Sequence, residues 1–337
     1  MSNLRAGVRR RSILTLAGLA AALWGLIAVL GMTAPSTNGS HSAMGEPVLK
    51  GFAETRAEAQ RIRFTMADDS YTLVRTAAGW VMEQSGNYPI RADRLADLAS
   101  GLETLTFEQK RTHDPYKLDR IGLGDPAEGG TGVLIEVIGP DGTLTASLIA
   151  GRKAGRIYVR RPDDTQTYRA EGDLPPFYNR RAWLDFNIIE IDPTAIRSVR
   201  LTDAQGRELY LRRDAGSDAR AFRPAPPNQN DRLINRLGAS SAALAITRLS
   251  ALDVKPASAI TTPRIARHIS ETFDGLEIDL RAHIEPDGLW VTLRAVEAGE
   301  GARRAKAINH KAEGWAFRIS DYDFQDFTPL VSELVER

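Results

Sequence analysis

The sequence predicts an α+β body of meandering antiparallel sheets with few helices, preceded by one N-terminal transmembrane helix. Three observations carry this expectation. A run of twenty residues without charge, Ile13–Met32, lies close to the N-terminus. Beyond it, short runs rich in β-branched and aromatic residues alternate with turn signals at hairpin spacing. A segment of about 50 residues then recurs in the second half, the mark of a duplicated β-β-β-α-β unit.

The apolar run comes first. As an α-helix, residues 13–32 would span about 30 Å, the thickness of a bilayer's hydrocarbon core. Arg5, Arg9, Arg10 and Arg11 precede it, and no Lys or Arg follows until Lys50. The positive-inside rule then places residues 1–12 in the cytoplasm and the bulk of the chain across the membrane. The chain is expected to cross the membrane once, with Ile13, Leu23, Trp24 and Met32 in the anchor. A cleaved signal peptide is the rival reading, but its apolar region would be unusually long, and its best cleavage site, after Ala34, is followed by Pro35. Residues 33–49 are small, polar and Pro/Gly-bearing, as a flexible linker is.

Residues 61–66 and 71–76 follow as two strands around Asp68-Asp69, and Gly79-Trp80-Val81-Met82 begins a third. After Pro89, Leu95, Leu98, Leu102 and Leu105 recur at helical spacing and mark a helix with one buried stripe. A strand follows at 105–110. Val133–Ile138 and Leu144–Ile149 flank the turn Gly139-Pro140-Asp141-Gly142, and residues 157–161 and 166–170 form a second hairpin. These elements make up a first domain, 50–180. In the second domain, 181–337, Val199-Arg200-Leu201-Thr202 matches Ile62-Arg63-Phe64-Thr65, and Pro227 with Asp231-Arg232-Leu233 matches Pro89 with Asp93-Arg94-Leu95. Ala243-Leu244-Ala245-Ile246 falls opposite Leu105-Thr106-Phe107-Glu108. Strands at 276–284 and 289–296 and a short closing helix at 324–335 complete the chain.

Several kinds of chemistry are missing from the sequence. The chain has no cysteine, which removes disulfides, thiolate metal sites and cysteine nucleophiles. A net charge of +1 provides no general field for nucleic acid. The phosphate-cradling G-x-x-x-x-G-K-[ST], the nucleophile elbow G-x-S-x-G and the zinc-binding H-E-x-x-H do not occur. His41, His113, His268, His283 and His310 are scattered, with no pair at metal-ligand spacing. The stretch Asp321-Tyr322-Asp323-Phe324-Gln325-Asp326 lacks the glycine and closing glutamate of a calcium loop, and reads as a strand or turn with aromatics inward. No cofactor is expected. Trp183 reads as a buried anchor between the two repeats, with Asp185 capping backbone beside it.

One candidate interaction patch stands out. Arg152, Lys153, Arg156, Arg160 and Arg161 make residues 152–161 locally basic. Charged side chains often do no more than solvate a hairpin; the alternative is contact with an anionic lipid, a glycan or a partner subunit.

Three stretches carry a family likeness: Gly79-Trp80-Val81 ahead of Pro89 and the leucine helix, Gly151 to Arg160 (GRKAGRIYVR), and Arg181-Ala182-Trp183-Leu184-Asp185 followed by Ile188 and Ile191. In these the chain resembles a family of uncharacterised, membrane-anchored bacterial envelope proteins defined by a domain of unknown function. The resemblance covers about residues 50 to 260 and brings no catalytic residues. It implies association with ABC transporters of the auxiliary, gliding-motility type, hence ABC permease and ATPase subunits as partners. The expectation is a non-catalytic, periplasm-side accessory or scaffold subunit; the alternative is an envelope glycan- or lipid-binding module.

Overall fold

The computed structural model describes residues 44–296 and 299–336. The expected anchor, with Ile13, Leu23, Trp24 and Met32, lies outside the described residues. Among the described residues no helix is long and apolar enough to cross a membrane.

The architecture is α+β, with antiparallel sheets throughout. In chain order the first half contains α1 (Phe52–Thr55), β1 (Arg61–Thr65), β2 (Ser70–Thr76), β3 (Gly79–Met82), β4 (Tyr88–Pro89), α2 (Ala92–Thr104), β5 (Thr106–Lys110), β6 (Val133–Ile138), β7 (Leu144–Lys153), β8 (Arg156–Arg160) and β9 (Tyr168–Glu171). The second half contains β10 (Asn187–Glu190), β11 (Ile196–Thr202), β12 (Glu208–Arg212), β13 (Arg223–Pro224), β14 (Arg232–Leu233), α3 (Arg236–Leu244), β15 (Arg248–Ser250), β16 (Asp253–Pro256), β17 (Ala266–Thr272), β18 (Glu277–Glu285) and β19 (Gly288–Val296). It ends with α4 (Ala302–Ala312), β20 (Trp315–Arg318), α5 (Asp321–Phe327), α6 (Val331–Leu334) and β21 (Val335–Glu336).

Among the described residues, one sheet has nine strands in the order β4-β3-β2-β1-β6-β7-β8-β9-β5, and another has eight in the order β13-β12-β11-β17-β18-β19-β20-β16. With β4 set aside, the two orders run in parallel. Three strands fold back (β1 to β3, β11 to β13), a four-strand meander (β6 to β9, β17 to β20) joins the first of them, and a strand that comes after the helix (β5, β16) closes the far edge.

Alternation along the strands sets which face each sheet buries. Val133, Ile135 and Val137 of β6, Leu148 and Ala150 of β7, and Ile157 and Val159 of β8 all turn inward. α2 lies on that inner face because Leu98 and Leu102, four residues apart, form its buried stripe. In the second half, α3 and α5 cover the equivalent face with Ala239, Ala242, Ala243, Phe324 and Phe327. One apolar core runs through both halves.

The chain between the sheets is packed tightly. Trp183 is fully buried, and its Nε1–H donates to the Tyr71 hydroxyl at 2.9 Å. That hydroxyl in turn donates to the Phe177 carbonyl at 2.8 Å, and the Tyr71 ring stacks on Phe64 at 4.5 Å. Burial pushes the Tyr71 phenol far above its ordinary pKa, so it remains a donor. Asp185 accepts from the Asn187 N–H at 3.1 Å and pairs with Lys311 at 2.7 Å. Tyr88 of the first half meets Trp315 of the second edge-on at 4.9 Å.

The structure corrects three local expectations. Residues 243–246, placed opposite a strand entry, are instead the end of α3 and a 3-10 turn; the strand begins at Arg248. The alanine-rich run favours helix, and Asn235 caps it by accepting from the Gly238 N–H. The single closing helix is two, α5 and α6, separated at Pro329, whose ring and missing N–H stop the first. Residues 321–326 are helical and not an alternating strand: Phe324 and Phe327 turn inward three residues apart, while Tyr322 is 76% exposed.

Candidate functional site

The outer faces of the two large sheets contrast in chemistry. On the first sheet, Leu134, Ile149 and Tyr158 project outward, opposite to the core positions. The connection from β5 to β6 folds over them, burying Leu118 and Leu123 against Ile149 and Tyr158. The backbone approach is close: a Cβ on Gly151 would lie 2.1 Å from the Gly122 carbonyl. Glycine is what lets the connection seat there.

Of the basic segment, Lys153, Arg156 and Arg160 share this outer side with Ile149, while Arg152 lies opposite the core residue Ile157 on the inner side. Arg160 is buried, at 4% exposure. Its Nε–H donates to the Leu123 carbonyl at 2.9 Å, one terminal nitrogen donates to the Pro162 carbonyl at 3.0 Å, and the other pairs with Asp125 at 3.3 Å. It is a strut between the covering connection and the β8–β9 turn, and it offers nothing to a partner. Arg152 pairs with Asp173 at 2.9 Å and donates to the Leu174 carbonyl. Lys153 donates to the Arg120 carbonyl. Arg156 is exposed and Arg161 half-buried. Of the five cations, Arg156 and Arg161 have side chains without a hydrogen-bond or ion-pair partner among the described residues.

The second sheet is built differently. The connection from β16 to β17, residues 257–265, is short and reaches only one end of the outer face. There Thr261 and Thr262 clamp Glu285 through their hydroxyls and N–H groups, at 2.6 to 3.0 Å. Those donors, the Thr262 hydroxyl foremost, hold the Glu285 carboxyl down to about 2. Beyond this clamp the face is open. A groove of about 820 Å³ lies over β18 and β19, lined by Glu277, Asp279, Arg281, Thr292, Arg294 and Val296. Arg267 grips Asp279 through two bonds of 2.8 and 3.0 Å, and Arg281 reaches the same carboxylate at 3.1 Å. Arg294, directly across from Asp279 on the next strand, is exposed and has no ion pair among the described residues. At the turn end, Lys255 sits 4.0 Å from the centre of the Trp290 ring, and both side chains reach Asp287. The sequence shows this turn only as the short link between the expected strands 276–284 and 289–296; the cross-strand neighbours of Trp290 become visible only once register is known.

Two further groups singled out in the sequence are tied into the fold. His268 is wholly buried under α3, with Nε2 at 2.8 Å from the Ala242 carbonyl and Nδ1 at 3.2 Å from the Ser270 hydroxyl. Desolvation pushes its pKa down to about 4, so the ring is neutral at pH 7. The other residues of the acidic stretch serve helix α5, with Ser320 accepting from the Asp323 N–H as its N-cap. Among the described residues no group of three or more His, Asp or Glu side chains is arranged to hold a metal.

The fold and these surfaces define an α+β body with two large sheets and one polar face left open. The chain belongs to the family described as Domain of unknown function (DUF4340), whose model matches residues 80–263. The match runs from β3 through β16, so β17, β18 and β19, which carry the open face, follow it. No curated protein and no solved structure matches the chain.

Proposed function

We propose that this chain is a non-catalytic, membrane-tethered accessory subunit that docks a partner protein on the outer face of its second sheet. One observation carries the docking reading: the face over β18 and β19 is open, while the same face of the first sheet is covered by the chain's own β5–β6 connection. The polar, ion-paired surface suits a partner that associates from water, because it need not be hidden when unbound. The tether rests on the apolar run 13–32. Only residues 33–44 separate that run from Gly45, whose N–H bonds to the Phe107 carbonyl at 2.7 Å. Twelve residues reach at most about 40 Å, which keeps the body near a bilayer. We further propose that the partner is the permease of an ABC-transporter-like complex with its ATPase, following the family resemblance, and that the two halves arose by duplication of one unit, following their matching strand orders.

The test is purification of the full chain from its native membrane in mild detergent, with a photo-reactive residue at Arg294 and, separately, at Lys153. The expected result is that permease and ATPase subunits co-purify and that the permease cross-links at position 294 only. A chain that purifies alone, or cross-links equally from both positions, sinks the proposal. Extraction by carbonate without detergent would sink the tether.

A further inference from the structure

A second surface is built from other elements and does not depend on the docking reading. α2 and residues 173–178 run side by side and enclose a groove of about 640 Å³. They lie close because α2 carries Gly101, where a Cβ would come 2.3 Å from the Asp173 carbonyl. On the helix wall, Arg94 and Asp97 stand 3.6 Å apart, one turn from Ser100 and Gly101. The Arg94 Nε–H is buried without a partner. On the opposite wall Arg152 pairs with Asp173, and the Arg152 N–H donates to the Tyr178 hydroxyl. Tyr178 packs one side against Phe177, 4.4 Å between ring centres with the rings tilted by 34°, and remains 40% exposed.

The chemistry of the walls narrows the ligand. Two guanidinium groups and two carboxylates balance, so the groove has no net field for an anion. An apolar ligand would strip water from four charged groups and return nothing. An added peptide strand needs free backbone N–H groups, and Pro175-Pro176 provides none. A sugar offers both donors and acceptors on adjacent carbons, together with an apolar C–H face. We propose that this groove binds a neutral glycan. In it, Asp97 and Asp173 accept from neighbouring sugar hydroxyls, Arg94 and Arg152 donate to sugar oxygens, and the open side of the Tyr178 ring packs on a pyranose. The volume is within the range of sites that enclose a small ligand. Arg152 thereby acts as one half of a balanced pair and not as part of a basic patch.

The experiment uses the full chain in a sugar-free detergent. Saturation-transfer NMR and calorimetry are run with chitotetraose, cellotetraose and the polyanion heparin. The expected result is saturation of at least one neutral tetraose, with affinity falling about tenfold or more in Asp97→Ala, Arg94→Ala and Tyr178→Ala. Tyr116→Ala, which removes an aromatic 93% exposed elsewhere, should bind as wild type does. Asp97 is exposed on α2 and Arg94 half-buried at the groove wall, so the Asp97 variant reports even if Tyr178→Ala fails to fold. Binding of chitotetraose alone assigns an N-acetylated glycan, and binding of both tetraoses assigns neutral glycans generally. No saturation by either tetraose, unchanged binding in all three variants, or a salt-sensitive preference for heparin would overturn the proposal.

Discussion

The outer faces of the two sheets differ in chemistry at matching places. Thr65 and Thr202 end β1 and β11, which hold the same place in the two strand orders, and they sit opposite Leu134 and Arg267 respectively. Leu134 in turn faces Ile149, whereas Arg267 faces Arg281. One step further, Ile149 faces Arg160 and Arg281 faces Thr292. The first sheet thus offers an apolar patch that the β5–β6 connection must cover, and the second presents charge that water can cover. The same sheet geometry therefore supports a closed face in one half and an open one in the other. A few outward-pointing residues make the difference, because alternation lets the outer face change without disturbing the core.

The largest expected effect breaks the closed face. Arg160→Ala removes a buried guanidinium and strands the carbonyls of Leu123 and Pro162. Asp125 is a third exposed and stays solvated, so the cost comes from leaving buried carbonyls without a donor, about 3 to 5 kcal/mol in sum, read as a lower denaturant midpoint at unchanged slope. An unchanged midpoint would mean that the strut is dispensable and that the covering connection holds by other means.

The next effect compares the inner faces. Where the first sheet sets Ile135 opposite Phe64, the second sets His268 opposite Leu201. The folded pKa of His268, about 4, lies below its unfolded value of 6.5. The unfolded chain therefore binds this proton first as pH falls. Its stabilising share is complete above pH 6.5 and is lost progressively toward pH 4, by on the order of 3 kcal/mol. Urea midpoints measured across that window should fall for the wild type and stay much flatter in His268→Leu. Equal slopes would place the acid sensitivity elsewhere.

A smaller effect sharpens the role of the covering connection. Leu123 is fully buried in a satellite cluster of few residues, which can partly collapse around a gap. Leu123→Ala should cost about 2 to 3 kcal/mol. Amide exchange should quicken in residues 115–132 and remain unchanged in β17, β18 and β19. Faster exchange spread over both halves would show that the cover and the second sheet unfold as one unit.

Much of this was legible in the sequence, and the part that was not has a physical cause. The hairpins around Gly139-Pro140-Asp141-Gly142 and Pro286-Asp287-Gly288 could be read because alternation and turn chemistry are local. The leucine stripe of α2 could be read for the same reason. The helix at Asp321–Phe327 was also marked locally, by Ser320 three residues before Asp323, but alternating acids and aromatics imitate a strand. Arg160 could not be placed. A cation within a basic run looks solvated until a distant connection brings carbonyls to it. Residues 111–132 have no periodic pattern, so their role as a cover depends on contacts that only the fold creates. The groove beside α2 was equally hidden, because Arg94 and Arg152 lie far apart in the chain and meet only across Gly101.

The smallest expected effect on stability is also the sharpest test of the comparison. Arg294 is exposed on the open face, outside any ion pair among the described residues, so Arg294→Ser should change stability by no more than about 0.5 kcal/mol. A residue kept only to solvate a strand would then show no phenotype at all. If the open face is a docking surface, the same variant weakens recovery of the partner from detergent while the melting temperature stays fixed. Arg156→Ser, on a hairpin of the closed half, should alter neither. Loss of partner recovery in Arg156→Ser but not in Arg294→Ser would assign docking to the half whose face is already covered. The difference in outward residues would then concern how each half closes on itself, and not what it meets.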